Sequence, residues 1–320
     1  MYLIKKIGIV GTGDIAKQFV AQLDKNKYEI VSMFNHRETS LIPFAEENDV
    51  TNYTTDYANF LDNTELECVY IGTPNQTHYH YAKQALEAGK HVLCEKVMVL
   101  SGVQVKELFD LAKSKNLVLL EAVTLFYMPM YHEVKKLIAA DNLGEISNAS
   151  VIFGSCKEYD PTNRFFSKEL GGGALFDIGT YALSAAVYLL GTDLNFVTSD
   201  VELAPTGVDE KSMTLLKTPK GVQASVMISF RGKMPKQVVL TGDKGFLKID
   251  DFPRAEEGTI FYNDGQTKVV NLGNGRDVFT YEMDLLNDYA VGKVEGIDIR
   301  EVTEHVISLM DEMRASWGIN

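Results

Sequence analysis

The stretch Lys6-Ile7-Gly8-Ile9-Val10-Gly11-Thr12-Gly13-Asp14-Ile15-Ala16 decides the fold. An apolar run, Ile7 to Val10, feeds directly into a glycine turn, and a helical pattern follows. A strand, a glycine turn and a helix N-terminus together build a pyrophosphate site. Gly11 permits the tight turn, Gly13 offers no side chain to block phosphates, and Ala16 lets helix and strand pack closely. Thr12, Asp14 and Ile15 complete the turn and join the candidate cofactor contacts. A G-x-G-x-x-[GA] pattern alone is a weak signal; set directly behind a buried strand, it reads as dinucleotide binding.

Outward from that turn, short β-rich runs alternate with helical patterns over the first 120 or so residues. Strands are expected at Lys6–Val10, Glu29–Asn35, Cys68–Gly72, His91–Cys94 and Val118–Ala122, with helices between them. Near-continuous apolar strands in such an alternation predict a doubly wound parallel sheet covered on both faces, a Rossmann domain over residues 1–122. From residue 123 onward the pattern changes. After a helix around Pro129–Ala140, strand-like runs at Ile146–Ser155, Ser212–Thr218, Val222–Phe230, Gln237–Gly242 and Gly245–Ile249 are joined by turn signals such as Pro219-Lys220-Gly221. Val222, Ala224, Val226, Ile228 and Phe230 alternate with polar neighbours, so residues 123–320 are expected to form an α+β domain. Its large, mainly antiparallel open sheet would have one covered face, and the other face is a natural homodimer surface. The final helix, Arg300–Ser316, is expected to pack back on the first domain.

Composition narrows the classes of partner. The 320-residue chain is 45% hydrophobic and 23% charged, with a formal net charge of −13 and no basic run. That argues against nucleic acid or an anionic membrane surface. No apolar stretch approaches the roughly 20 residues of a membrane span. Too little sequence precedes the first strand for a signal peptide. Three scattered cysteines, Cys68, Cys94 and Cys156, suggest neither disulfides nor a metal site, and a cytoplasmic location is expected.

In open α/β sheets, ligands bind at the carboxyl ends of the strands. The second strand ends in Asn35-His36-Arg37, the third in Thr73-Pro74-Asn75 with His78 close behind, and the fourth in Glu95-Lys96. A lysine at such a rim donates to a substrate hydroxyl or carbonyl and shuttles its proton, with desolvation and a cationic nicotinamide lowering its pKa. The alternative is a solvated Glu-Lys surface pair. Further on, Gly171-Gly172-Gly173-Ala174 opens a helix on which Asp177 and Tyr181, four apart, share a face. A carboxylate and a phenol so placed suit a diol or assist proton transfer; an ordinary core helix with an Asp–Tyr bond is the plainer reading. Gly179 is costly in a helix, which suggests a close neighbour there.

These motifs resemble the Gfo/Idh/MocA family, the glucose–fructose oxidoreductase and inositol dehydrogenase group of NAD(P)-dependent enzymes. The resemblance runs through Ile7–Ala16, Gly72–Asn75 with His78, Ala88–Lys96, Gly171–Tyr181 and Arg314–Gly318. Tyr181, where inositol dehydrogenases have histidine, is similar to the dihydrodiol dehydrogenase and glucose–fructose oxidoreductase branch. The resemblance implies Lys96 as catalytic lysine, with Asp177 and Tyr181 completing the acid/base and substrate-orienting set. It implies that Thr73, Pro74, Asn75 and His78 border the nicotinamide, that Glu95 contacts its ribose, and that Arg164 reaches the substrate; otherwise Arg164 is a surface arginine. Val97 departs from the family's proline after the lysine. A cis bond before valine costs roughly 2.5–4 kcal/mol, against under about 1 for proline, so trans is expected here.

Cofactor choice turns on Asn35-His36-Arg37. Asn35 replaces the acid that suits NAD, and Arg37 suits a 2′-phosphate, so NADP is preferred; if Arg37 merely stacks on adenine, NAD serves as well. The expected activity is hydride exchange between nicotinamide and a hydroxyl or carbonyl carbon of a sugar, cyclic polyol or trans-dihydrodiol, with phosphorylated substrates disfavoured. The alternatives are a catalytically silent dinucleotide sensor and, remotely, a methyltransferase.

Overall fold

The computed structural model describes residues 3–319. The chain divides into two compact units. One runs to Val99 and takes in Val103–Ala122 and Arg276–Gly296; the other comprises Leu100–Gly102, Val123–Gly275 and the chain from Ile297 onward.

The first unit carries strands β1 (Lys6–Val10), β2 (Glu29–Phe34), β3 (Tyr53–Thr54), β4 (Cys68–Ile71), β5 (His91–Glu95) and β6 (Leu119–Ala122). They form one sheet in the order β3-β2-β1-β4-β5-β6, and every pairing is parallel. Helices α1 (Asp14–Gln22), α2 (Glu38–Glu47), α3 (Tyr57–Leu61), α4 (Asn75–Glu87) and α5 (Gly102–Ser114) are the crossovers. β4 and β6 are buried throughout, as strands covered on both faces must be. The strand order reverses at β1, between β2 and β4, which makes the carboxyl end of β1 the switch point where a ligand is received.

The second unit holds α6 (Pro129–Ala139), β7 (Ile146–Gly154), a π-helical turn at Leu175–Gly179 running into α7 (Thr180–Leu190), and strands β8 (Asn195–Leu203) to β14 (Thr267–Asn271). The strands between are β9 (Asp209–Lys217), β10 (Gln223–Ser229), β11 (Gln237–Gly242), β12 (Gly245–Asp250) and β13 (Glu257–Tyr262). The sheet order is β14-β13-β12-β11-β7-β10-β9-β8, antiparallel except for the parallel pair β7–β10. The alternation in β10 lands as expected: Ala224, Val226 and Ile228 are buried while Gln223 and Ser225 are exposed. On the open face, Met213, Phe246 and Val269 are exposed.

The two-segment division at residue 122 needs two corrections. Arg276–Gly296 belongs to the first unit, where α8 (Val278–Ala290) packs on β5, β6 and α1. Asn287 fixes it there: its Oδ1 accepts from Ile4 N at 2.8 Å and its Nδ2 donates to Ile4 O at 3.0 Å. The last helix, α9 (Ile299–Ser316), belongs to the second unit rather than the first, because its apolar stripe of Val302, Val306, Leu309 and Met313 is buried there as the helix packs on α7 and β8. The expectation that no apolar stretch approaches a membrane span is corrected at Lys168–Leu190, which is long and apolar enough to cross one by length and composition. It is 83% buried inside the protein, as a core helix is.

Candidate active site

At the switch point, Gly11 has φ +105°, and a Cβ built on it would lie 2.6 Å from Gly72 O. The touching of the two loops therefore demands glycine. Gly13 is different. Its φ is −74°, it is exposed, and a Cβ there would meet nothing nearer than Gly72 O at 3.9 Å. The fold has no use for that glycine. Gly13 also starts α1 without a side-chain cap, so no side chain at that position satisfies the backbone N–H donors of the positive helix end. The cradle fits a pyrophosphate.

The loop after β2 is tied to this turn by Ser40, which the sequence reading did not single out. Thr12 Oγ1 donates to Ser40 Oγ at 3.1 Å, and Asn35 Nδ2 donates to the same oxygen at 2.8 Å. Asn35 is buried, whereas His36 and Arg37 are exposed. No carboxylate ends β2; a hydroxyl cluster and a free-standing guanidinium do. The signal for Ser40 was its place in the first turn of α2, three residues past Arg37.

After β4, Thr73 and Asn75 are half-buried and Pro74 is exposed at the start of α4. Thr73 Oγ1 accepts from Thr77 Oγ1 at 2.7 Å. His78 instead turns inward and is fully buried. Its Nε2 lies 2.7 Å from Thr73 O and its Nδ1 2.9 Å from Val97 O. Burial, then the nearby Lys96 charge, hold its pKa below the ordinary value against the pull of the two carbonyls. Carbonyls only accept, so the neutral ring donates to one and abuts the other. His78 thus links the loops after β4 and β5.

Glu95 also lies inward. It is buried, and Tyr70 donates to its Oε1 at 2.7 Å while Phe19 stacks on Tyr70 at 3.8 Å. Burial, then the Glu95 charge, drive the Tyr70 phenol far up, so it stays a donor. Lys96 is half-buried at the carboxyl end of β5, two strands from β1. The Lys96–Val97 peptide is cis, which overturns the expected trans bond. Contacts on either side, distant in sequence, accompany it. Val97 is fully buried with its carbonyl on His78, and Met98 N donates to Glu121 Oε1 at 2.9 Å. Glu121, from β6, was another residue the sequence reading passed over.

The second unit holds the other candidates. From Gly171 to Leu189 every residue is buried except Asp177 and Tyr181, so these two alone break the surface of an otherwise buried and mostly apolar rod. The expected α-turn between them is partly a π-turn, a widening frequent at functional sites. Gly179 is crowded as expected: a Cβ there would sit 3.0 Å from Leu175 Cδ1 and 3.1 Å from Ile228 Cδ1. Arg164 Nη1 stands 3.6 Å from Asp177 Oδ1, and its guanidinium lies over the Phe165 ring at 4.3 Å. With Arg164 60% exposed, that pair contributes at most about 1 kcal/mol. Tyr181 packs beside Phe153, ring centroids 6.3 Å apart.

The chain is similar to known proteins along most of its length. Residues 5–123 match the family model described as an oxidoreductase family with an NAD-binding Rossmann fold, and residues 131–248 match the GFO/IDH/MocA C-terminal domain. The chain is 27% identical over 328 residues to trans-1,2-dihydrobenzene-1,2-diol dehydrogenase of Xenopus laevis, covering 98% of each. It is 25% identical over 327 residues to scyllo-inositol 2-dehydrogenase (NADP(+)) of Bacillus subtilis, covering 98% of this chain and 97% of that one. A 3-ketoreductase from Actinomadura kijaniata, solved with NADP and TDP-benzene, shares the fold at a TM-score of 0.86 and 24% identity, covering 98% of this chain and 97% of that one. Two consecutive domain models matched along one chain leave a single assignment: the protein belongs to the GFO/IDH/MocA family of NAD-binding oxidoreductases.

Proposed function

We propose that this protein is an NADP-preferring dehydrogenase that acts on a CH–OH carbon of a sugar, cyclic polyol or trans-dihydrodiol. The observation that carries the reading is the unfilled space at Gly13 before an uncapped helix, in the same unit as a half-buried lysine at a strand's carboxyl end. Gly11, Thr12, Gly13, Asp14 and Ile15 would hold the pyrophosphate, with Thr73, Pro74 and Asn75 toward the nicotinamide. A bound nicotinamide supplies hydride exchange at its C4. Lys96 gives or takes the proton of the substrate oxygen. Asp177 and Tyr181 bind substrate hydroxyls, and Arg164 orients Asp177. Asn35 and Ser40, with Arg37 exposed beside them, support a 2′-phosphate in place of two ribose hydroxyls. His78 and Glu95 act as supports, because both point inward.

The open face of the eight-stranded sheet supports self-association as a homodimer. Two buried free cysteines and an exposed one suit a reducing cytoplasm.

The test follows reduced-nicotinamide absorbance with NADP+ or NAD+ across aldoses, inositols and trans-dihydrodiols, alongside cofactor affinity by fluorescence. Lys96→Met is expected to lower kcat by about 10³-fold with cofactor affinity kept. Arg37→Ser is expected to cut the NADP-over-NAD preference by about tenfold. Full turnover by Lys96→Met would sink the proton role. Intact cofactor binding with no turnover on any substrate would favour the sensor reading.

A further inference from the structure

We propose that Asp209 is a positioning residue: a buried carboxylate on β9 that anchors the amino end of the Leu175–Gly179 turn and thereby sets where Asp177 and Tyr181 stand. The inference rests on the reading of those two side chains as substrate-binding groups.

Asp209 is 3% exposed, and its Oδ2 accepts from Leu175 N at 2.7 Å. Its other oxygen fills the space beside Gly173, where a Cβ would overlap it; Gly173 has φ +120°. Gly172 is held just as closely, since a Cβ there would come within 2.8–2.9 Å of the carbonyls of Arg164, Phe165 and Ser167. Gly173 N donates to Phe165 O at 2.9 Å and Gly172 N to Ser167 O at 2.9 Å. The triple glycine is thus the point where β9 and the Arg164 loop both close on the start of the helix.

The remainder of the helix is an apolar rod packed on β7, β10 and α9. Apolar packing tolerates sliding and rotation by fractions of an ångström, whereas a short hydrogen bond at one end does not. Asp177 lies two residues beyond the anchored Leu175 N–H, so a shift at the anchor reaches it undamped.

Burial pushes the Asp209 carboxyl up to about 7, while the backbone N–H groups of Leu175 and Ala174 and the charge of Arg314 pull the other way. Arg314, on α9, is the charged group facing it. That guanidinium lies over the Phe176 ring at 5.1 Å and donates to Leu100 O at 3.3 Å. A carboxylate is an expensive group to bury merely to fill space. Its position at a helix start beside Asp177 and Tyr181, the two half-buried polar side chains of that helix, gives it a purpose.

The experiment compares the full-length protein with Asp209→Ala and Asp209→Asn, first by amide hydrogen exchange, which needs no substrate. Asp209→Ala is expected to raise exchange in residues 171–181 by about tenfold or more, with β7 and β10 unchanged. Asp209→Asn, which keeps one acceptor, should recover part of that protection. If Asp209→Ala does not fold, Asp209→Asn alone carries the comparison, with a smaller rise confined to the same residues. Unchanged exchange at 171–181, or loosening spread evenly through the unit, overturns the proposal. In the second arm, on a substrate that turns over, Asp209→Ala should raise KM about tenfold while cofactor affinity stays within about twofold. Adding it to Asp177→Asn should cost little more than Asp177→Asn alone. Additive losses in that pair, or a parallel fall in cofactor affinity, reject it. A protein that turns over nothing defeats the dehydrogenase reading and leaves the exchange result standing.

Discussion

Two glycine turns in this molecule each start a helix, and they treat its positive end in opposite ways. At Gly171–Gly173 the protein supplies everything: carbonyls crowd Gly172, a carboxylate crowds Gly173, and Asp209 accepts from the first turn. At Gly11–Gly13 it supplies half. Gly11 is pressed against Gly72, but a Cβ at Gly13 would meet only Gly72 O, in ordinary contact at 3.9 Å, and no side chain among the described residues caps α1. Helix starts favour negative charge. One turn closes on a buried carboxylate; the other has its acidic residue, Asp14, exposed and no carboxylate on its N–H groups among the described residues. A glycine that the fold explains is architecture, and a glycine that the fold does not explain marks a ligand.

The sharpest way to break that contrast is to add one methyl group at each turn. Gly173→Ala combines a left-handed φ with overlap on a buried carboxylate, so it should cost about 5 kcal/mol or more and threaten folding. Gly13→Ala places its methyl in ordinary contact with Gly72 O, 3.9 Å away, at an ordinary φ, and stability by urea unfolding should stay within about 0.5 kcal/mol. Its NADP affinity should nevertheless fall by about tenfold or more, because the methyl occupies the place proposed for the pyrophosphate. A well-folded Gly173→Ala together with a Gly13→Ala that binds NADP normally would reverse the assignment of the two turns.

That contrast also shows which features are legible in sequence. The β1–α1 turn reads directly because strand, glycines and helix are contiguous, and β-strand alternation likewise shows the covered face of β10 in a single segment. What sequence hid depends on partners far along the chain. His78 sits beside the proline-containing turn after β4, where an outward ring is the natural reading; its inward turn is set by the Val97 carbonyl. The Lys96–Val97 bond looked trans from valine alone, yet its surroundings include Glu121 from another strand. The return of α8 to the first unit is fixed by Asn287 on Ile4, a pairing 283 residues apart. Asp209, embedded in an ordinary strand sequence, carried no local sign that it caps a helix.

The anion of the second turn is buried, whereas Asp14 in the first turn of α1 is exposed, and pH tests the buried one. The Asp209 carboxyl titrates near 7 in the fold and near 4 when unfolded, so the fold binds that proton more tightly. Its contribution to stability is therefore fully present below about pH 4 and is lost as pH rises through about 7, by at most about 4 kcal/mol. Urea unfolding between about pH 5 and pH 8 should show Asp209→Asn gaining on the wild type as pH rises. A wild-type-minus-variant difference that is flat across that range would mean that the carboxylate is ionised throughout, and that its N–H donors outweigh its burial.

The smallest expected effect lies downstream of the second turn, at Gly179, where two terms oppose each other. Alanine in a helix interior gains about 1 kcal/mol over glycine. The new methyl would meet Leu175 Cδ1 at 3.0 Å and Ile228 Cδ1 at 3.1 Å, and overpacking a core typically costs about 1–3 kcal/mol. Both obstacles are ends of flexible side chains, which places the cost at the low end, so net stability should change by less than about 1 kcal/mol. Geometry is less forgiving than stability, because Gly179 lies between Asp177 and Tyr181 and any relief taken by the backbone moves the rod that carries both. Gly179→Ala should therefore leave the unfolding midpoint nearly unchanged while raising KM about threefold to tenfold. A KM that stays fixed would mean that the helix yields by side-chain rotation alone, and that its anchoring at Gly173 is tighter than its packing at Gly179.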